Sequence, residues 1–350
     1  MALHCTNHSF SEAAVRPAFE TKVGRIYVGD SLDILSDPRV VSEGSVDLIV
    51  TSPPFGLTRK KKYGNVEADK YVDWFRPFGQ LFRRLLKPNG SLVIDIGGSW
   101  MPGQPTRSLY HYELLVMLVK ELEFHLAQEF FWWNPSKLPT PAEWVNVRRV
   151  RVKDAVDCVW WLSPTPWPKA SNRRVLQPYS DSMKQLLANG YEARLRPSGH
   201  DISTKFARDN GRSIPPNLLA IANTESNSAY IRYCRQHRLP VHPARFPAAL
   251  PEFFMRMLTN RGDLVVDPFA GSCVTGEVAE RLSRRWICVE LLPQYVEGAR
   301  GRFVGQTTLL SGSTSRGGPD QGYYRIPHPA LLWNGDDETP IPDDGSRSRR

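Results

Sequence analysis

No stretch of this chain approaches the roughly 18–20 successive apolar residues that a membrane-spanning helix needs. Its opening, MALHCTNHSF, lacks the basic-then-apolar layout of a secretory leader. Cysteine is scarce. The five present, Cys5, Cys158, Cys234, Cys273 and Cys288, are scattered and show no C-x-x-C spacing. Neither a disulfide framework nor a cysteine metal site is expected, and free thiols in a reducing cytoplasm are. There is no internal repeat, which excludes solenoid architectures. What is there is ordinary globular composition, 41% hydrophobic and 23% charged over 350 residues. That length suits one large α/β domain with an insertion, or two domains.

Charge is the first positive signal. The net charge is +9, and residues 164–240 alone hold twelve Lys and Arg against five Asp and Glu. Two further clusters are Arg59-Lys60-Lys61-Lys62 and Arg148-Arg149-x-Arg151-x-Lys153. One such cluster reads most simply as a solvated face. Three of them, interleaved with aromatics, point to a polyanionic partner, and nucleic acid fits best.

Strand-like and helix-like segments alternate along the chain. Gly24–Val28, Val46–Val50, Ser91–Ile96, Leu126–Trp133, Asp154–Leu162, Leu264–Asp267 and Trp286–Glu290 read as extended. Ser31–Leu35, Tyr71–Leu86, Glu113–Leu122, Pro251–Leu258 and Gly276–Leu282 read as helical, with Lys87-Pro88-Asn89-Gly90 closing the second of them. The alternation predicts a doubly wound α/β sheet. Five segments are expected: a poorly ordered lead-in at 1–22, a first half of the fold at 23–163, an irregular basic stretch at 164–240, a second half at 241–304, and a disordered tail at 305–350.

Two constellations carry chemistry. The apolar strand Val46–Val50 runs into Thr51-Ser52-Pro53-Pro54-Phe55. Two successive prolines supply no N–H and fix φ, so the turn is stiff. Ser52 Oγ and the Pro53 carbonyl then form two acceptors at fixed spacing beside the Phe55 ring. Such a pair can hold a planar exocyclic amino group. More than 200 residues later, Leu264–Asp267 ends in an acid and runs through Pro268-Phe269-Ala270-Gly271, followed by a helix and a strand ending in Glu290. Gly271 permits a tight turn and close approach of a ligand, and Glu290 is placed to accept from both hydroxyls of a ribose. The pattern is no dinucleotide fingerprint, because Gly271 is followed by Ser272-Cys273-Val274-Thr275 before Gly276. Asp267 would repel a pyrophosphate and attract an ammonium. A nucleoside bearing an amino acid and no phosphate is S-adenosyl-L-methionine. The bland reading is an ordinary βαβ turn with an incidental acid.

With these residues in place, the chain resembles the permuted β-class of DNA amino-methyltransferases, which pair a D-x-F-x-G cofactor turn with an (S/N/D)-P-P-(Y/F) catalytic turn. The Ser form is typical of the cytosine-N4-specific members. The resemblance also takes in Tyr71–Phe75, Leu86–Ser91, Asn134–Pro139, Arg196–Asp201, Ser213–Leu219 and His242–Pro247, and covers roughly residues 24–303. Ala270 stands where a second glycine occurs in some members. The motif order, catalytic turn first and cofactor turn last, is that of the permuted class, and 164–240 falls where that class keeps its target recognition region.

The resemblance implies a Rossmann-like S-adenosylmethionine-dependent methyltransferase fold, circularly permuted, with an inserted recognition region. It implies methyl transfer to N4 of a cytosine flipped out of double-stranded DNA, in a restriction-modification system with a cognate endonuclease as partner. CAGCTG is the duplex site to test first. Ser52, Pro53, Pro54 and Phe55 would be catalytic, with Ser52 and Pro53 accepting from the amino group and Phe55 stacking on the base. Asp30, Arg245, Phe246, Pro247, Asp267, Phe269, Gly271 and Glu290 would bind the cofactor. Arg59, Lys60, Lys61, Lys62 and His200 would contact DNA, and no metal is implied. Several residues keep a second reading: Asp30 as the cap of the helix at Ser31, Arg245 as a surface or phosphate contact, Phe269 as core, His200 as part of a structural turn. The rival functions are adenine-N6 methylation, where the turn usually opens with Asp or Asn, and a non-catalytic DNA-binding protein on the same scaffold. A cytosine-C5 enzyme would need a nucleophilic cysteine, usually after proline, and no Pro-Cys occurs.

Overall fold

The computed structural model describes residues 15–56, 66–190, 208–224 and 227–304. The basic run Arg59–Lys62, His200, the first fourteen residues and the segment from 305 lie outside them. In chain order the elements are β1 (Phe19–Glu20), β2 (Gly24–Val28), α1 (Ser31–Leu35), β3 (Val46–Thr51), α2 (Tyr71–Leu85), β4 (Leu86–Ile96), α3 (Tyr110–Lys120), β5 (His125–Trp133), β6 (Val156–Ser163), α4 (Asp181–Asn189), β7 (Leu218–Ala220), α5 (Ala229–Gln236), α6 (Ala249–Leu258), β8 (Leu264–Asp267), α7 (Val274–Arg281), β9 (Arg285–Glu290) and α8 (Pro293–Ala299).

The strands form one sheet in the order β1-β2-β9-β8-β3-β4-β6-β5-β7. The five strands from β2 to β4 run parallel. β6 is antiparallel to both β4 and β5, which makes β5 parallel to β4. β3 sits near the centre and is buried along its whole length. Val46 and Ile49 pack into one core with α2 and α3, while Leu48 and Val50 pack into the other with α6 and α7. Covering both faces is what parallel strands demand, and each fully buried large side chain contributes roughly 1.5–3 kcal/mol. On α2 the buried Tyr71, Phe75, Phe78, Phe82 and Leu85 follow the helical repeat.

Three details depart from the pattern reading. Lys87–Gly90 does not form a separate turn. It belongs to β4, and the pairing with β3 slips between Val46 and Leu48 to absorb it. Phe19–Glu20 forms a short antiparallel strand on β2, which its apolar pattern did not announce. The described parts of 164–240 are also bound into the body: β7 extends the sheet beside β5, and α5 packs on α8 and the turn after it, with Cys234 Sγ against Gly298 and Tyr233 against Gly301.

Asp47 ties together the amino ends of three neighbouring strands. Its carboxylate accepts from Lys87 Nζ at 2.9 Å on β4, from the Leu264 N–H at 3.0 Å on β8, and from Lys169 Nζ at 3.0 Å, which also reaches Asp263. Burial alone would raise its pKa, but these donors hold it below the ordinary 3.8. An acid whose folded-state pKa is depressed stabilises the fold above its unfolded value and loses that contribution as pH falls. Asp47→Asn is therefore expected to cost about 1.5–3 kcal/mol near neutrality. In urea unfolding the gap to wild type should hold from about pH 5 to 8 and close below about pH 4. A gap unchanged at about pH 3 would refute the assignment.

Candidate active site

The chain leaves β3 toward α2 on one face and leaves β8 toward α7 on the other. A crevice must open between the carboxyl ends of these neighbouring strands, because the two connections turn away from each other. It is bridged at its base: Thr51 Oγ1 donates to Asp267 Oδ1 at 2.6 Å across 216 residues of sequence. Above that bond lies a cavity of about 450 Å3, within the range of small-molecule sites.

The cavity follows the strand order. At the β2–β9 end stand Gly29, Asp30 and Glu290, at the centre Pro268–Ser272 and Ser52–Phe55, and at the β4–β6–β5 end Asp95, Asp157, Trp132, Asn134 and Lys137. Glu290 Oε2 accepts from the Gly271 N–H at 2.9 Å and Oε1 from the Leu292 N–H at 3.0 Å, and the carboxylate keeps acceptor capacity for a ligand. Burial, and after it the Asp267 carboxylate, raise the Glu290 pKa against the pull of the Leu292, Gly271 and Leu291 amides. Gly271 has φ +53°, and a Cβ there would lie 3.0 Å from the His242 ring. His242 donates through Nδ1 to the Ala244 carbonyl at 2.6 Å. Burial pushes its pKa down to about 4, so at neutral pH it is an uncharged wall.

The turn Ser52–Gly56 is stiff for two reasons. Its prolines restrict φ, and the rings of Tyr71 and Tyr110 crowd Gly56 from behind. Tyr110 also donates its hydroxyl to the Gly97 carbonyl at the end of β4. Thr51 pairs with Ile94 in the parallel ladder, so one residue further along Ser52 stands opposite Asp95. The Asp95 carboxyl is buried, and its Oδ1 has no hydrogen-bond partner among the described residues. Burial, and next the nearby Asp157 carboxylate, push its pKa well above the usual range, with the Ser52 side chain and Lys137 acting the other way. A Cβ on Gly97 would strike Phe55 at 2.5 Å and Asp157 at 2.8 Å, so ring and carboxylate meet over that glycine.

Most of the residues expected from sequence converge here: Ser52, Pro53, Pro54, Phe55, Asp30, Arg245, Phe246, Phe269, Gly271 and Glu290 all line the cavity. Two readings held apart in the sequence both apply. Asp30 caps α1 through the Leu32 N–H at 2.8 Å and also lines the cavity, and Phe269 lines it while packing on Trp74 and Phe78. Arg245 is half-buried and lines the cavity. It donates to the His242 carbonyl and lies 5.9 Å from the Tyr230 ring centre.

Two residues are not in the cavity wall. Asp267 is fully buried beneath it, its oxygens taken by Thr51, by Thr275 Oγ1 at 2.6 Å and by the Phe269 N–H at 3.1 Å. It shapes the turn from beneath and does not line the cavity. Pro247 is buried and opens α6, its carbonyl accepting from Leu250. The reading of the sequence missed Asp95, Asp157 and Lys137. An acid inside the apolar run Leu92–Ile96 was a visible signal for the first.

A family model described as DNA methylase, covering N6 and N4 methyltransferases, matches residues 46–301. Type II methyltransferase M.PvuII of Proteus hauseri is 53% identical over 292 residues, spanning 83% of this chain and 86% of that protein. M.BglII of Bacillus subtilis is 24% identical over 281 residues, 79% and 67% of the two chains. A solved structure described as the PvuII DNA methyltransferase (cytosine-N4-specific) superposes with TM-score 0.67 at 47% identity, covering 82% of this chain and 89% of that one.

Burial raises Asp267 from 3.8 to about 6, against the three donors it faces. A raised acid costs stability progressively as pH climbs from its unfolded to its folded value. Thr51→Val removes a donor that favours the ionised form, so its loss of about 1–3 kcal/mol should be small at pH 5 and full at pH 8. Urea unfolding at the two pH values measures this, and an equal loss at both would contradict it.

Proposed function

The chain belongs to the DNA methylase family of N6 and N4 methyltransferases, and from that premise we propose that it transfers a methyl group from S-adenosyl-L-methionine to the exocyclic N4 of cytosine in duplex DNA. The observation that carries this reading is Ser52 standing opposite Asp95, in the cavity whose far end is Glu290. Glu290 lies two strand spacings from Ser52, about 10 Å, which suits a nucleoside held at one end with its reactive group near the other.

The cavity residues fit that cofactor. Glu290 keeps lone pairs for two ribose hydroxyls, Gly271 leaves room that a Cβ would fill, Phe269 offers a ring, and Asp30 stands at the same end. Arg245 and Phe246 border the other side. When bound, S-adenosyl-L-methionine supplies an electrophilic methyl group. The protein's task is then to make a poor nucleophile attack, because the cytosine N4 lone pair is delocalised into the ring.

Ser52 Oγ and the Pro53 carbonyl accept the two amino hydrogens and favour a pyramidal nitrogen with its lone pair freed. Ser52 can accept there because its own hydrogen turns to Asp95. As the new N–C bond forms, one N4 proton leaves through the Ser52 hydroxyl to the Asp95 carboxylate, which burial makes a stronger proton acceptor than an exposed carboxylate. Phe55 stacks on the flipped base. Asp267 acts from below by holding the turn through Phe269.

An adenine-N6 enzyme would be expected to open the turn with Asp or Asn, and Ser52 favours cytosine. We assign DNA contact to Arg59, Lys60, Lys61, Lys62 and His200, with base reading in 164–240 and steep salt dependence from the phosphate contacts. A cognate endonuclease for the same site and a cytoplasmic location belong to this proposal.

Labelled S-adenosylmethionine and unmethylated duplex containing CAGCTG, digested to nucleosides, should yield 4-methylcytosine. 6-Methyladenine would overturn the reading. Ser52→Ala should keep cofactor and DNA binding and lose most methyl transfer, and full activity would remove the turn from the mechanism. Wild-type rate should rise with pH as Asp95 ionises. Asp95→Asn should abolish that rise and lower kcat by about 10²–10⁴-fold, with cofactor affinity retained.

A further inference from the structure

We propose that Lys137 recognises the target base, its ammonium donating to cytosine O2, and so makes the pocket select a pyrimidine carbonyl as well as an amino group. The proposal rests on the cytosine-N4 reading above.

Lys137 lines the same end of the cavity as Ser52, Asp95 and Asp157. The turn after β5 sets it there. Asn134 Oδ1 accepts from the Ser136 N–H at 3.2 Å, from Ser136 Oγ at 2.8 Å and from the Asn223 N–H at 3.2 Å, and the Lys137 N–H closes the turn on the Asn134 carbonyl. Lys153 Nζ holds the Lys137 carbonyl from outside at 3.1 Å. The pair that Lys137 makes with Asp157 is part-buried, with the two side chains 31% and 12% exposed, so the ammonium is held in the cavity wall and not on open surface.

The ammonium lies 3.3 Å from both oxygens of Asp157. That is longer than the roughly 2.7–2.9 Å of a strong charged hydrogen bond. An ammonium has three N–H donors and Asp157 takes at most two, so at least one remains for a ligand. Asp157 in turn meets Phe55 over Gly97. The cation is therefore held beside the ring on which the base would lie.

Cytosine docked with its amino group at Ser52 presents N3 and O2 along the rest of its edge, and both are acceptors. The wall that continues from Ser52 holds the carboxyls Asp95 and Asp157, which would repel those lone pairs. Among the described residues lining the cavity, the lysine and arginine cations are Lys137 and Arg245, and Arg245 is turned to His242 and Tyr230. Lys137 is the donor this edge requires. Adenine, docked by its own amino group, offers a ring nitrogen and a C–H where cytosine offers O2.

The chemistry also fixes where the contact acts. Donation to O2 draws the N4 lone pair toward the carbonyl, which opposes methyl transfer. Lys137 thus contributes to binding of the flipped base and not to the chemical step. Its loss belongs in KM, with kcat unchanged or raised, because the contact is at its strongest in the bound ground state.

The test pairs Lys137→Met with a duplex carrying the 2-aminopyridine C-nucleoside at the target position. This analogue keeps the exocyclic amine and ring nitrogen of cytosine and lacks O2. Lys137→Met on cytosine should lose about 10- to 100-fold in kcat/KM, carried by KM, with cofactor affinity unchanged. Removing O2 from the substrate should then cost the variant much less than it costs wild type. Equilibrium affinity for the two duplexes should show the same coupling. Independent, multiplying losses would overturn the proposal. So would a loss that lies in kcat and is recovered at higher pH, because Lys137 would then act through the ionisation of Asp95. If wild type forms no 4-methylcytosine at all, the underlying function fails, and this proposal fails with it.

Discussion

The hydrogen bond from Thr51 to Asp267 marks the constraint on which the remaining structure depends. It joins the carboxyl ends of two adjacent parallel strands whose connections leave to opposite faces. A sheet built in this way cannot close over that point, and the crevice follows from topology before any side chain is chosen. The Ser52–Phe55 turn and the Gly271 turn are then neighbours, although more than 200 residues separate them. Permutation costs nothing here. Chain order can change freely as long as β3 and β8 stay side by side.

The two edges of the sheet use charge in opposite ways. At the amino edge Asp47 is met by two lysines and an amide, and its pKa falls. At the carboxyl edge Asp95, Asp267 and Glu290 are all raised, chiefly by burial. The first arrangement stabilises the fold near neutral pH, and the second opposes it. Raised acids concentrated along one edge are what a reaction site looks like when stability is given up for chemistry. The opposite edge offsets part of that cost.

Much of the fold was legible because its signals are local. The repeat of Tyr71, Phe75, Phe78 and Phe82 marks a helix, and Val46–Val50 is apolar because both of its faces are covered. Ser52–Phe55 and Asp267–Glu290 were legible because each is a short run with a stiff or tight turn. Asp95, Asp157 and Lys137 were not. They come from β4, from β6 and from the turn after β5, and they meet only because β6 runs antiparallel between the other two. No spacing in the chain encodes that. Asp267 misled for a related reason. An acid at a strand end reads as a ligand for a cation, but the hydroxyl that occupies it, on Thr51, lies at the far end of the sequence.

The choice of serine at position 52 follows from the same convergence. Asp95 and Asp157 already place two carboxyls at this end, and Asp157 raises the cost of ionising Asp95. A third carboxylate at 52 would add to that repulsion, and an amide could not pass a proton onward. A hydroxyl can do both jobs, accepting from the amino group with its lone pairs while donating to the acid behind it. In the reaction proposed above, Ser52 is one member of a set with Asp95, Asp157 and Lys137, in which the hydroxyl would handle the amino end of the ring and the lysine its carbonyl end.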